Sequence, residues 1–274
     1  MAFHATAQVD AKSGVLANHG SPRKRLQLFE NFEKAPKLNA TLVPTADDPT
    51  LAQWAAILSA NKSFEILGNN AADADSVPDT GGGVSLSTAG GGTDQIVVLP
   101  HQDTNITSWN NADWNGADEV CMEWKIETPA ALTDYIIFGG LDTDATVDAT
   151  YLAGENDDRV LIVFEDGVNS GKWILHYSIT DADSVVTDYT ADLGVTVVAS
   201  THYTLQLTVD ANGKVDVYIG IGGGEVEHRH QTANALLTTG TTIDYVPRIG
   251  IEEQEASAKN MNLRWIAMSK EYNN

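Results

Sequence analysis

Carboxylates repeat at a spacing of four through one stretch of this chain, at Glu119, Glu123 and Glu127. Retaining glycoside hydrolysis uses two carboxyls about 5.5 Å apart on one face. Alternation along a strand puts Glu119 and Glu123 on a common face, but Cys121 and Lys125 lie beside them instead of an aspartate. The Glu-x-Asp-x-x-Glu arrangement of sandwich glycosidases is missing, and Glu252-Glu253-Gln254-Glu255, which is read as leading into a loop, does not supply it. The expectation is a solvated outer face and no glycosidase activity. Nucleophilic chemistry fares no better. Cys121 sits among acids that disfavour a thiolate, and no Gly-x-Ser-x-Gly elbow occurs.

Metal chemistry has two candidates. His228 and His230 flank Arg229 with the spacing of two ligands on one strand face. No third ligand follows, so a plain surface strand is expected. The segment from Asp142 to Asp148 offers hard oxygen donors at Asp142, Asp144 and Asp148, with Glu155, Asp157 and Asp158 after it. Calcium takes six to eight such oxygens, which makes those three aspartates the candidate ligands. Apart from that, no cofactor is expected. Trp109 and Trp114 stand in a polar stretch and are the candidate sugar contacts; the alternative is that the indoles plug an end of the fold.

What positions these residues is a β framework. From residue 63 onward the apolar period is two. Val120, Met122, Trp124 and Ile126 share one face, as do Trp173, Leu175, Tyr177 and Ile179. Leu205, Leu207 and Val209 are joined through Asp210-Ala211-Asn212-Gly213 to Val215, Val217 and Ile219, a hairpin signal. Leu263, Trp265 and Ala267 read as the last strand, and shorter candidates lie at 64–67, 84–88, 95–99, 135–139, 160–164, 184–189 and 246–251. About a dozen strands with one polar face predict an all-β protein of two packed antiparallel sheets. One short helix is expected near 50–60, where Asp47-Asp48-Pro49 precedes Leu51, Trp54, Ala55 and Leu58. The Gly81–Gly83, Gly90–Gly92 and Gly222–Gly224 runs are read as turns, because none has the setting of a phosphate loop.

Composition narrows the partners. The chain has 274 residues, a formal charge of −22 and one cysteine. That charge argues against nucleic acid, and no apolar run is long enough to span a bilayer. Residues 1–37 carry six basic and three acidic side chains, a net of +3, which leaves −25 for the rest. An acidic body with a basic leader suggests that the leader lies on an acidic surface. The expected division is an extended arm at 1–27 and one sandwich domain at 28–274. Fully extended, the arm reaches roughly 80 Å.

Several blocks look alike to a known group. They include Leu28-Phe29-Glu30-Asn31-Phe32, Asp94-Gln95-Ile96-Val97-Val98-Leu99, Met122-Glu123-Trp124-Lys125-Ile126, Gly171-Lys172-Trp173, Tyr203-Thr204-Leu205-Gln206-Leu207 and Pro247-Arg248-Ile249-Gly250-Ile251. Over residues 26–270 the chain resembles the concanavalin-like (laminin-G-like) jelly-roll structural proteins of tailed bacteriophages. The resemblance implies a virion protein that decorates or cements the outer capsid surface, made in the host cytoplasm and without catalytic residues. The major capsid protein would be its partner, and the chain would form a dimer or trimer. Arg23, Lys24 and Arg25 would dock the arm, with Leu26, Leu28 and Phe29 fixing it to the body. The rival expectation is a carbohydrate-binding module of a head or tail fibre, with a glycan as ligand.

Overall fold

The computed structural model describes residues 25–30, 64–68, 75–78, 81–100, 119–142, 159–178, 190–210, 212–232 and 246–271. Their alternating apolar pattern makes strands, and the strands form two antiparallel sheets. The first, sheet A, runs β13 (Glu227–Gln231), β12 (Val215–Ile221), β11 (His202–Val209), β6 (Cys121–Glu127), β15 (Asn260–Glu271), β4 (Val84–Ser87) and β3 (Asp75–Pro78). A further strand, β1 (Arg25–Glu30), also pairs with β15, from Arg25 opposite Glu271 to Glu30 opposite Ile266. The long β15 thus shares one edge between β4 and β1. Sheet B runs β10 (Thr190–Thr196), β9 (Lys172–Ser178), β8 (Arg159–Glu165), β7 (Tyr135–Asp142), β14 (Val246–Glu253), β5 (Gln95–Pro100) and β2 (Phe64–Gly68). This is a two-sheet antiparallel jelly-roll sandwich, as the strand pattern predicts.

The core lies between the sheets. Val120, Met122, Trp124 and Ile126 point inward from sheet A, against Ile137, Ile162, Leu175 and Ile249 of sheet B. Trp124 needs room, and Gly139 provides it: a Cβ there would come within 2.7 Å of the indole. Trp173 packs edge-on to Tyr203, with ring centroids 5.6 Å apart. The expected turn at 210–213 closes the β11–β12 hairpin. The Asp210 carboxylate accepts the backbone N–H groups of Asn212 at 2.8 Å and Lys214 at 2.9 Å, and Gly213 takes a φ of 77°.

The structure corrects three expectations. The division at 27/28 falls inside β1, so Arg25, Leu26 and Gln27 belong to the sheet. The alternation of Leu263, Trp265 and Ala267 is broken by a bulge, because the pairing with β6 shifts between Leu263 and Trp265. An extra residue reverses which face each side chain takes. Leu263, Ile266 and Met268 therefore join the core, while Trp265 and Ala267 pack with Cys121 on the outer face. The outer face of β6 is not solvated, since Cys121 and Glu123 are buried. Glu252 and Glu253 end β14 and the chain enters a loop at Gln254, as expected. The helix expected near 50–60 and the strand expected at 184–189 lie outside the described residues.

Candidate functional site

Antiparallel alternation sorts the connections into two poles. At one pole the links are short: 88–94, 128–134, 166–171, 197–201, 222–226 and 254–259. At the other, β5 hands over to β6 through 101–120, β7 to β8 through 143–158, β9 to β10 through 179–189, and β13 to β14 through 232–245. β1 begins at this second pole as well, since Arg25 stands opposite Glu271 at the far end of β15. Long connections held on a rigid scaffold are where binding residues concentrate. The candidate site is this long-loop pole.

The segments that hold the candidate sugar and calcium contacts attach there, as does the start of β1. Trp109 and Trp114 lie between β5 and β6, and Asp144 and Asp148 between β7 and β8, all outside the described residues. Arg23 and Lys24 precede β1 and also lie outside them. Arg25, Leu26, Leu28 and Phe29 are strand residues of β1. Phe29 is 39 % exposed, and its ring centroid lies 6.2 Å from that of Trp265.

Asp142, the last residue of β7, does not behave as a calcium ligand. It is fully buried, and Arg248 Nη1 donates to its Oδ2 at 2.9 Å. Arg248 Nη2 donates to Gln95 Oε1 at 3.2 Å, and Gln95 Nε2 to Glu252 Oε2 at 3.2 Å. The guanidinium also lies 5.5 Å from the centre of the Phe138 ring. Arg159 stands opposite Asp142 in register. This buried row crosses the outer face of sheet B toward the long-loop pole. Burying charges costs several kcal/mol per ion unless each is paired, so the row rigidifies the sheet that carries the loops. The sequence reading missed it, although a lone arginine inside the apolar run Pro247 to Ile251 was a signal that a partner had to exist.

The carboxylates at spacing four do not assemble a hydrolytic pair. Glu119 precedes β6 with a φ of 49°, and Glu127 forms an ion pair with Arg264. Burial works against the charge of Glu127, but hydrogen bonding and attraction from Arg264 outweigh it and hold the carboxyl below its usual range. Glu123 alone is buried, and that pushes its pKa up to about 7.

At the short-turn pole the glycine turn at 90–92 does hold a carboxylate, but one from its own chain. Gly92 N–H donates to Glu253 Oε1 at 2.5 Å, and the Thr88 hydroxyl to Oε2 at 2.6 Å. Gly90 and Gly92 take φ values of 91° and 101°, which few other residues tolerate. His228 and His230 do not face a common site. A bulge between their pairings sets His228 opposite Tyr218 and His230 opposite the core residue Val217. His228 instead meets Asp216, Nε2 to Oδ1 at 2.8 Å. Among the described residues no cluster of three His, Cys, Asp or Glu side chains could hold a metal ion.

No protein family matches the chain, and no curated protein does. Solved structures do match. A protein of unknown function from Shewanella oneidensis MR-1 aligns with a TM-score of 0.57 at 12 % identity, over 91 % of this chain and 87 % of that one. Peanut lectin aligns with 0.53 at 10 %, over 91 % and 99 %. Winged bean acidic lectin, solved with methyl-α-D-galactose, aligns with 0.52 at 9 %, over 78 % and 95 %. At these identities the likeness establishes the fold alone: a two-sheet, concanavalin-like jelly-roll sandwich.

Proposed function

We propose that the chain is a glycan-binding module that recognises rather than cleaves its ligand. The gathering of the long connections at one pole of a lectin-type sandwich carries this reading. Sugars are held by aromatic faces and by planar hydrogen-bonding side chains, and the segments that carry Trp109, Trp114, Asp144 and Asp148 are anchored at that pole. Winged bean lectin supports the reading, as does the carbohydrate recognition domain of Emp46p, which aligns with a TM-score of 0.51. A glycan array probed with and without calcium tests it. Binding to a defined set of glycans is expected, falling at least tenfold in Trp109→Ala or Trp114→Ala. Silence across the array under both conditions would eliminate the proposal.

A second reading, capsid decoration, is favoured by β1. The first 24 residues, with Arg23 and Lys24 at their end, lead into a strand sewn to β15, so a pull on the leader is borne by sheet A. In this reading the leader grips the major capsid protein of a tailed phage and the body, as a dimer or trimer, sits on the outer shell. A chain beginning at Arg25 keeps β1; it is expected to fold as the parent does and to lose head binding, measured by co-sedimentation with phage heads. Undiminished binding would remove the leader from that role.

A further inference from the structure

The outer face of sheet A holds a carboxyl with no counterpart among the described residues. In register across the sheet run His228, Tyr218, Gln206, Glu123, Ala267 and Phe29. Glu123 lies at the middle of that row and is 9 % exposed. No hydrogen bond or ion pair from a described residue reaches it. Gln206, its neighbour on β11, donates from Nε2 to Cys121 Sγ at 3.7 Å.

The surrounding groups do little to hold a negative charge. On β6 the same face carries Cys121, buried, and Lys125, half-buried. β11 contributes Thr204, Gln206 and Thr208, and β15 contributes Trp265, Ala267 and Ser269, none of them charged. Phe29 follows on β1. Farther along the row come Tyr218 and the pair of His228 with Asp216. An ionised carboxylate in the middle of this face has lost most of its water and gains no donor from a described residue, which is costly.

We propose that Glu123 is a proton-operated latch on the outer face of sheet A, closed when its carboxyl is neutral and loosened when it ionises. In the closed state the neutral side chain packs between β11 and β15. In the loosened state water reaches the carboxylate, which requires β6 to part locally from its neighbours, while the core on the opposite face of β6 stays packed. The direction follows from burial, which raises the proton affinity of the closed form to a pKa of about 7. A hydrated carboxyl titrates near its ordinary value of 4.5. The latch is therefore fully closed below pH 4.5, gives way progressively up to pH 7 and changes no further above it.

Hydrogen exchange on the full chain between pH 4.5 and 8 tests this, run beside Glu123→Gln. After correction for intrinsic exchange, opening of the β6 amides and of their partners in β11 and β15 is expected to rise on the order of 100-fold from pH 4.5 to 7. The rise should be absent in Glu123→Gln and from β8 and β9 in sheet B. An equal rise in the variant, or a uniform rise through both sheets, overturns the latch. Should the variant fail to fold, carbon-13 NMR titration of Glu123 in the parent chain decides: a midpoint near 7 supports the proposal, and one in the ordinary carboxylate range sinks it.

Discussion

Arg248→Met loses about 3 kcal/mol of stability in urea unfolding, and adding Asp142→Leu restores most of it. The first change leaves Asp142 buried without the guanidinium that now donates to it at 2.9 Å, and it takes a donor from Gln95. Removing one member of a buried pair typically costs about 3–5 kcal/mol, because the remaining charge stays out of water. Arg159, opposite Asp142 in register, keeps a second cation in the row and holds the loss at the lower figure. The double variant removes both charges, so the desolvation penalty goes with them. A double variant no more stable than Arg248→Met would mean that the row does not act through this pair.

Glu123→Gln works in the opposite direction and only over part of the pH range. The folded chain holds the Glu123 proton to about pH 7, whereas the unfolded chain releases it near 4.5. Below pH 4.5 both states are protonated and the substitution is neutral. As pH rises to 7 the unfolded state gives up its proton first, so the parent loses stability relative to the variant. Above pH 7 the variant is more stable by about 3 kcal/mol, since each unit of pKa difference is worth about 1.4 kcal/mol. Urea midpoints at pH 4 and pH 8 check this: coincidence at the first and separation at the second are expected. A constant separation would point to packing instead of ionisation.

Both variants touch features that periodicity alone conceals. Where one face of a strand is apolar and the other polar, the inward residues read correctly, as they do for β6 and β12 and, apart from Tyr203, for β11. Sheet B is harder, because the two middle strands of the row are buried on both faces, and Tyr-Ile-Ile-Phe at 135–138 shows no alternation. Charged residues on such a face look like strand ends or loops, which is how Asp142 of β7 came to be grouped with Asp144 and Asp148. β15 fails for another reason: one extra residue inverts the pattern at Trp265, and a bulge leaves no local signature when no glycine marks it. β10 (Thr190–Thr196) was not read as a strand from the sequence, since only Leu193 and Val195 are buried apolar side chains inside it. The pole itself was only half legible. The loop residues stood out by type, but which end of the sandwich they share depends on strand pairing.

That shared pole has a geometric cost. The leader and the long connections attach to the body at the same pole. A body moored through β1 turns its tight turns, with Glu253 locked among their glycines, toward the surroundings. If the leader moors the body and the connections at this pole take sugar, as proposed, the two would compete for one approach.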